Sequence, residues 1–230
     1  HPSSSMILSF LPNLITLSNL AMGCLAVKFL FEQKPLVAVL CVAIGMLADF
    51  LDGAVARLLK VSSELGKQLD SLADMVSFGL VPGVILYYLL SQNTNFGILG
   101  FTVTLFSALR LGKFNLDTRQ SDSFIGLPTP ACTIFIVGLL LLFELNRFGI
   151  AHWIAQPALL VLVILLLSYL LIAELPLFSL KFKSLHWKGN EIRFIFVAVA
   201  LLLLLSLQEL GLVLTIILYV LISILSNRNL

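Results

Sequence analysis

The sequence predicts an all-α integral membrane protein with about eight transmembrane helices, and three observations carry that prediction. Only 11% of its 230 residues are charged, where a soluble domain carries about a quarter. Mean hydropathy is +1.08. Apolar stretches of about 20 residues, the length that a ~30 Å hydrocarbon layer asks of a helix, recur along the whole chain.

Residues 1–5, His-Pro-Ser-Ser-Ser, lack the apolar core of a signal peptide and read as a scar of tag removal, with the native chain starting at Met6. The first two spans are expected at 13–31 and 35–59. A turn region around Lys60–Gly66 then leads into a third span at 67–90, where Gly79 and Gly83 flank Pro82 in a GxxxG pattern of the kind that marks close helix packing. The fourth span, 96–115, carries Arg110 and Lys113 at its end. The Gly126-Leu127-Pro128-Thr129-Pro130 turn gives a rigid entry into the fifth span at 128–147, and the sixth follows at 151–173. Residues 174–190, with Lys181, Lys183 and Trp187 among Leu and Phe, are expected to connect spans along the headgroups. The last two spans fall at 191–207 and 211–226. The runs Leu139–Leu142 and Leu201–Leu205 suggest lipid-facing surface. Cys24, Cys41 and Cys132 stand singly without CxxC spacing, as small core residues do, and the unpaired His152 and His186 define no histidine-centred site.

Charge placement orients the chain. With both termini inside, eleven of the fourteen Lys and Arg residues fall on the cytoplasmic side, and Lys28, Lys34 and Arg147 remain outside. The positive-inside tendency favours this arrangement and an even number of spans. It places the stretch from Ala48 to Gly79 at the cytoplasmic surface of the cytoplasmic membrane. Nothing in the composition points to nucleic acid.

That stretch holds four aspartates in a chain with only twelve acidic residues. Asp49 and Asp52 are three positions apart and Asp70 and Asp74 four, so each pair projects from one face of its own helix. A short turn between the two segments makes them antiparallel neighbours whose ends meet. Carboxylates brought together in this way repel one another, and a divalent ion resolves the repulsion. All-oxygen ligation without His or Cys suits Mg²⁺ or Mn²⁺, which pairs carboxylates with substrate phosphates. Gly53 leaves room for a ligand against the backbone. Arg57 is a planar fork for phosphate, and Ser63 and Gly66 offer hydroxyl and backbone groups in the turn. A cation transporter is the rival from another class, since intramembrane carboxylates often mark ion pathways. It predicts acidic residues near mid-span, whereas these cluster at one interface beside Arg57.

In full, Asp49-x2-Asp52-Gly53-x2-Ala56-Arg57-x8-Gly66-x3-Asp70-x3-Asp74 resembles the signature of the CDP-alcohol phosphotransferase family, eight fixed positions over 26 residues. The resemblance implies a membrane enzyme that moves a phospho-group from a CDP-linked donor to an alcohol and releases CMP. It further implies a six-helix catalytic core, here 6–173 with residues 191–230 adding two helices, a cytoplasmic-facing metal site and a homodimer. Carried over by residue, it implies metal ligation by Asp49, Asp52 and Asp70, with Asp74 beside the metal as general base, and contacts to the CDP moiety from Gly53, Arg57, Ser63 and Gly66. The stretches PNLITLSNL at 12–20, RLGKFN at 110–115 and FIGLPTPA at 124–131 are similar to the membrane-spanning phosphatidylserine synthase branch, which implies CDP-diacylglycerol as donor and L-serine as acceptor. Relatives with glycerol 3-phosphate or inositol as acceptor are the alternative. Asn13 and Thr16, on one face of the first span, are candidates for the donor; Arg110 and Lys113 are candidates for the serine carboxylate. Where Gly112 and Lys113 stand, the branch commonly has Ala-Arg, and Lys113 keeps the charge without the bidentate fork.

Overall fold

The computed structural model describes residues 2–61, 63–116, 123–178 and 190–227. Helix α1, Pro2–Phe31, and helix α2, Pro35–Leu59, form the opening hairpin, their reversal made by Gln33 in a left-handed conformation. Helix α2 stops at Lys60, also left-handed, whose N–H turns back to the carbonyls of Ala56 and Arg57. Ser63 then starts α3, Glu64–Asp74, by accepting the Gly66 N–H on its hydroxyl at 3.0 Å. A left-handed stop followed within three residues by a serine cap is what turns the chain back so tightly.

Helix α3 runs without a break through a π-helical segment, Met75–Leu80, into α4, Val81–Ser91. This 28-residue unit is the centre of the molecule, 61% buried along its apolar window, against 28–33% for the other three long spans. A 3₁₀ turn, Gly97–Gly100, leads to α5, Phe101–Leu116. The expected GxxxG contact is present: a methyl on Gly83 would strike Thr104 Oγ1, and one on Gly79 would come within 3.4 Å of Ser107, both on α5.

Strand β1, Ser123–Ile125, precedes α6, Thr129–Leu145; a short α7, Ala151–Ile154, precedes α8, Pro157–Ile172. Strand β2, Pro176–Phe178, pairs antiparallel with β1 in the register Ser123–Phe178, Phe124–Leu177, Ile125–Pro176. Gly126 closes this pair with φ +75°, and a methyl there would lie 2.8 Å from the Leu171 carbonyl, so both backbone angle and space require glycine. Helices α9, Glu191–Leu207, and α10, Glu209–Asn227, form the closing hairpin. Helix α10 seats on α6, where Gly138 faces Val213.

Four helical units, Phe10–Phe31, Pro35–Leu59, Glu64–Ser91 and Gly97–Leu116, are long and apolar enough to cross a membrane, and shorter apolar helices lie at 129–145, 157–172 and 209–225. Together they make an all-α membrane protein whose helical segments follow the eight expected spans. Two differences have clear physical causes. The sixth span is divided, because Pro157 cannot continue the helix from α7. The Leu139–Leu142 run is core rather than lipid surface: Leu139, Leu140 and Leu142 are 0–5% exposed, since α10 covers this side of α6. Leu201, Leu202 and Leu205 are exposed as expected. Of the cysteines, Cys41 and Cys132 are buried as expected of core residues, whereas Cys24 is exposed, against that expectation, on a first span that is only 28% buried along its apolar window. Most of the interfacial connector, including Lys181, Lys183 and Trp187, lies outside the described residues, as do Arg119 and Arg228.

Candidate functional site

Three helices supply the site. Helix α2 presents Asp49, Asp52 and Gly53 on successive turns, α3 presents Gly66, Asp70 and Asp74, and α1 lays Asn13 and Thr16 across both. The tight Lys60–Ser63 reversal sets the last turns of α2 beside the first turns of α3, so residues 20 or more positions apart meet.

One carboxylate oxygen from each of Asp49, Asp70 and Asp74 lies within 4.8 Å of the others. Oxygens around an octahedral ion at ~2.1 Å stand about 3.0 Å apart when adjacent and about 4.2 Å when opposite, so the three carboxylates would have to draw inward to share one ion. Asp74 Oδ1 is buried with no hydrogen-bond partner, which a cation or a proton would satisfy. This donor set fits a hard divalent ion. Asp52 lies outside that group of three; it is 7% exposed and accepts a hydrogen bond from the Thr16 hydroxyl on Oδ2.

A cleft of about 170 Å³ adjoins the carboxylates. Of the residues expected to bind a nucleotide donor, Asn13, Thr16, Gly53, Ser63 and Gly66 line it, together with Asp52 and Asp70. Asn13 Oδ1 and Ser63 Oγ converge on Gly66, each 3.0 Å from the position a Cβ there would take. Arg57 is exposed, with Nη1 3.5 Å from the corresponding point over Gly53, so its guanidinium folds back toward the cleft without lining it. Asp70 belongs to both the cleft and the cluster, and so joins the two.

Arg110 is 7% exposed, its guanidinium carbon 5.7 Å from the centre of the Phe114 ring, on the stretch of α5 that runs past Asp74 between the contacts of Asn115 with Ser71, 2.9 Å, and of Ser107 with Gly79. Its Nε has no hydrogen-bond partner. Lys113, one turn on, is exposed. Among the positive residues at the end of α5, only Arg110 therefore points into the bundle.

Several residues here carry no sequence signal of their own. Lys67 lines the cleft while its Nζ pairs with Glu64 Oε1 at 2.9 Å. Asn19, one turn deeper than Thr16, is fully buried with both amide atoms unpartnered, its oxygen facing Gly45. Ser107 and Thr129, 0% and 1% exposed, hold unpartnered hydroxyls beside Arg110 and at the start of α6. A single Ser or Thr in an apolar span is ordinary, and only the shared burial sets these apart.

Fold and site define a helical membrane protein that gathers carboxylates where adjacent helices end, beside a polar cleft. Residues 9–169 match the family described as CDP-alcohol phosphatidyltransferase, and the chain belongs to that family. Curated relatives include proteins named CDP-diacylglycerol–serine O-phosphatidyltransferase from Helicobacter pylori (strain J99), 39% identical over 57% of this chain and 57% of the relative, from Mycobacterium leprae, 34% identical over 74% and 58%, and from Bacillus subtilis, 37% identical over 56% and 75%. The chain thus spans about 57% of the length of the Helicobacter relatives it matches.

Proposed function

We propose that this chain transfers the phosphatidyl group of CDP-diacylglycerol to the hydroxyl of L-serine, forming phosphatidylserine and releasing CMP. One observation carries the reading: the cleft lined by Asn13, Thr16, Gly53, Ser63 and Gly66 opens beside the carboxylates of Asp49, Asp70 and Asp74, through Asp70. The names of the relatives support serine as the acceptor.

The cleft would hold the cytidine end of the donor, with Arg57 reaching the diphosphate as a bidentate partner. Mg²⁺ or Mn²⁺ held by Asp49, Asp70 and Asp74, with Asp52 as a fourth carboxylate, would supply neutralisation of the charge that builds up on the diphosphate. The serine oxygen attacks the lipid-side phosphorus, a new P–O bond forms, and the bond to CMP breaks. Its proton passes to Asp74, whose buried Oδ1 is free to accept it. Serine differs from inositol or glycerol 3-phosphate in carrying an ammonium and a carboxylate. Arg110, inside the bundle on the stretch of α5 that runs past Asp74, offers the carboxylate a cation, and Lys113 contributes charge at the entrance. A donor whose acyl chains stay in the bilayer explains a polar cleft at the end of spanning helices. The site faces the cytoplasm in this reading, supported by Arg57, Lys60 and Lys67 at the same end, and the enzyme works as a homodimer, as the family resemblance implies.

The test supplies CDP-diacylglycerol with L-serine, glycerol 3-phosphate or inositol to the purified chain and identifies the lipid formed. Phosphatidylserine with stoichiometric CMP is expected, and its loss by more than about a hundredfold in Asp74→Asn. Another lipid product would replace the acceptor; metal flux in liposomes without CMP release would favour a transporter.

A further inference from the structure

Asp52 stands apart from the other three aspartates, although its place on α2, three residues after Asp49, puts it on the same face of that helix. What holds it is Thr16 on α1, whose hydroxyl donates to Asp52 Oδ2 at 2.5 Å. Both side chains are buried, Thr16 at 4% exposure and Asp52 at 7%, and both line the polar cleft.

Thr16 has a second acceptor within reach. The carbonyl of Pro12, one turn back on α1, lies 3.1 Å from the same hydroxyl oxygen. A hydroxyl carries one proton, so it serves one of these acceptors at a time. Releasing Asp52 therefore leaves no unmet donor on α1, because the proton turns to Pro12. The carboxylate has a destination as well: Asp70 lines the same cleft and belongs to the group whose oxygens lie within 4.8 Å of one another. A pair with two satisfied arrangements is a two-state element, and a ligand biases it by favouring one arrangement over the other. Pro12, Asn13 and Thr16 form the share of the cleft wall that α1 supplies, so an occupant of the cleft meets this hydroxyl directly.

We propose that Thr16 is a positioning residue that holds Asp52 away from the other carboxylates until a nucleoside fills the cleft, so that donor binding itself adds a fourth carboxylate to the ion's site. The inference rests on the reading of Asp49, Asp70 and Asp74 as ligands of a divalent ion and of the cleft as the nucleotide pocket. Its consequence is linkage: an occupant of the cleft tightens the ion, and the ion tightens that occupant by the same factor.

The experiment measures the Mn²⁺ affinity of the full purified chain, from the loss of the free-ion signal in electron paramagnetic resonance, with and without cytidine. Cytidine fills a nucleoside pocket without offering the ion a phosphate. In the unaltered chain it should tighten Mn²⁺ about tenfold. Thr16→Val keeps the branched shape and removes the hydroxyl. With no nucleoside present this variant should bind Mn²⁺ about tenfold more tightly than the unaltered chain, the effect of one hydrogen bond to a charged group, and cytidine should add little. If the hydroxyl instead steadies Asp52 as a standing ligand, the variant binds Mn²⁺ more weakly, and that sign overturns the inference. Unchanged affinity in the folded variant overturns it too. Asp52→Asn gives a second reading that does not depend on the Thr16 variant folding: its Mn²⁺ affinity should match that of the unaltered chain without cytidine and fall about tenfold below it with cytidine. Equal losses in the two conditions would refute the two-position account of Asp52. Failure of the unaltered chain to bind Mn²⁺ would remove the ion reading, and this inference with it, whereas phosphatidylserine synthesis with no effect of cytidine on Mn²⁺ would remove the inference alone.

Discussion

Gly53 stands on the wall of the polar cleft, and the nearest atom to a methyl placed there is Arg57 Nη1 at 3.5 Å, an ordinary contact. Nothing within the protein therefore requires glycine at this position of α2. An alanine in a helix interior is worth ~0.5–1 kcal/mol over glycine, so Gly53→Ala should leave the thermal midpoint unchanged or raise it. If a nucleotide packs against this backbone, the same methyl should raise the donor KM at least tenfold while the serine KM moves little. Full activity in this variant would detach Gly53 from donor binding. The contrast with Gly66 is instructive, because there a methyl would press on Asn13 Oδ1 and Ser63 Oγ at 3.0 Å, and a loss of stability would be mixed with any loss of binding. At the residue scale the spacing was informative for the aspartates: it set pairs on facing ends of α2 and α3, where Asp49, Asp70 and Asp74 cluster and Asp52 turns to Thr16 instead. It was silent on Asn19, Ser107 and Thr129, whose burial without partners depends on which helix lies opposite.

Between elements, the contact that aims the site is the crossing of the central helix over α5. The π-helical segment follows Asp74 directly, and the carbonyls of Phe78 and Gly79 accept hydrogen bonds from Thr133 on α6 and from Thr104 on α5, at 3.3 and 2.9 Å. A π turn leaves backbone groups out of the regular ladder, and neighbouring hydroxyls meet them. Such a segment has no signature in hydropathy, which is why the third span could be read only as uniform helix. The same limitation misplaced Leu139–Leu142, since an all-leucine run facing α10 and one facing lipid look alike in sequence. The GxxxG signal, by contrast, was legible because only small residues permit so close an approach. Gly83→Val should overpack this crossing and destabilise by about 1–3 kcal/mol, shifting α5 and with it Arg110. Gly112, on the same helix as Arg110 but with no atom within 4 Å of where a methyl would stand, supplies the comparison: Gly112→Ala should hold or raise the midpoint. Equal midpoints for the two variants in thermal unfolding would refute the close crossing.

Over the whole molecule, the three clustered carboxylates set a balance between stability and ligation. At 4.8 Å and an effective dielectric near 20, each pair of carboxylates would repel by roughly 3 kcal/mol if both were ionised, a cost between α2 and α3 that a proton or a divalent ion would lower. An ion that binds the folded chain and not the unfolded one raises stability by about 2.7 kcal/mol at a hundred times its Kd. For a chain of this size that is roughly 5–10 °C in Tm. Mn²⁺ or Mg²⁺ added after chelation should therefore raise the unfolding temperature of the unaltered protein, and Ca²⁺ less so, because it favours a larger cage of oxygens. Asp70→Asn removes one charge from the cluster, and the sign of its effect should depend on the ion. In chelator the variant should be as stable as the unaltered chain or more so, since repulsion falls; with Mn²⁺ it should be less stable, since a ligand is gone. A Mn²⁺ shift of full size in Asp70→Asn, or a lower midpoint in chelator alone, would mean that Asp49, Asp70 and Asp74 are held together by something other than an expected cation.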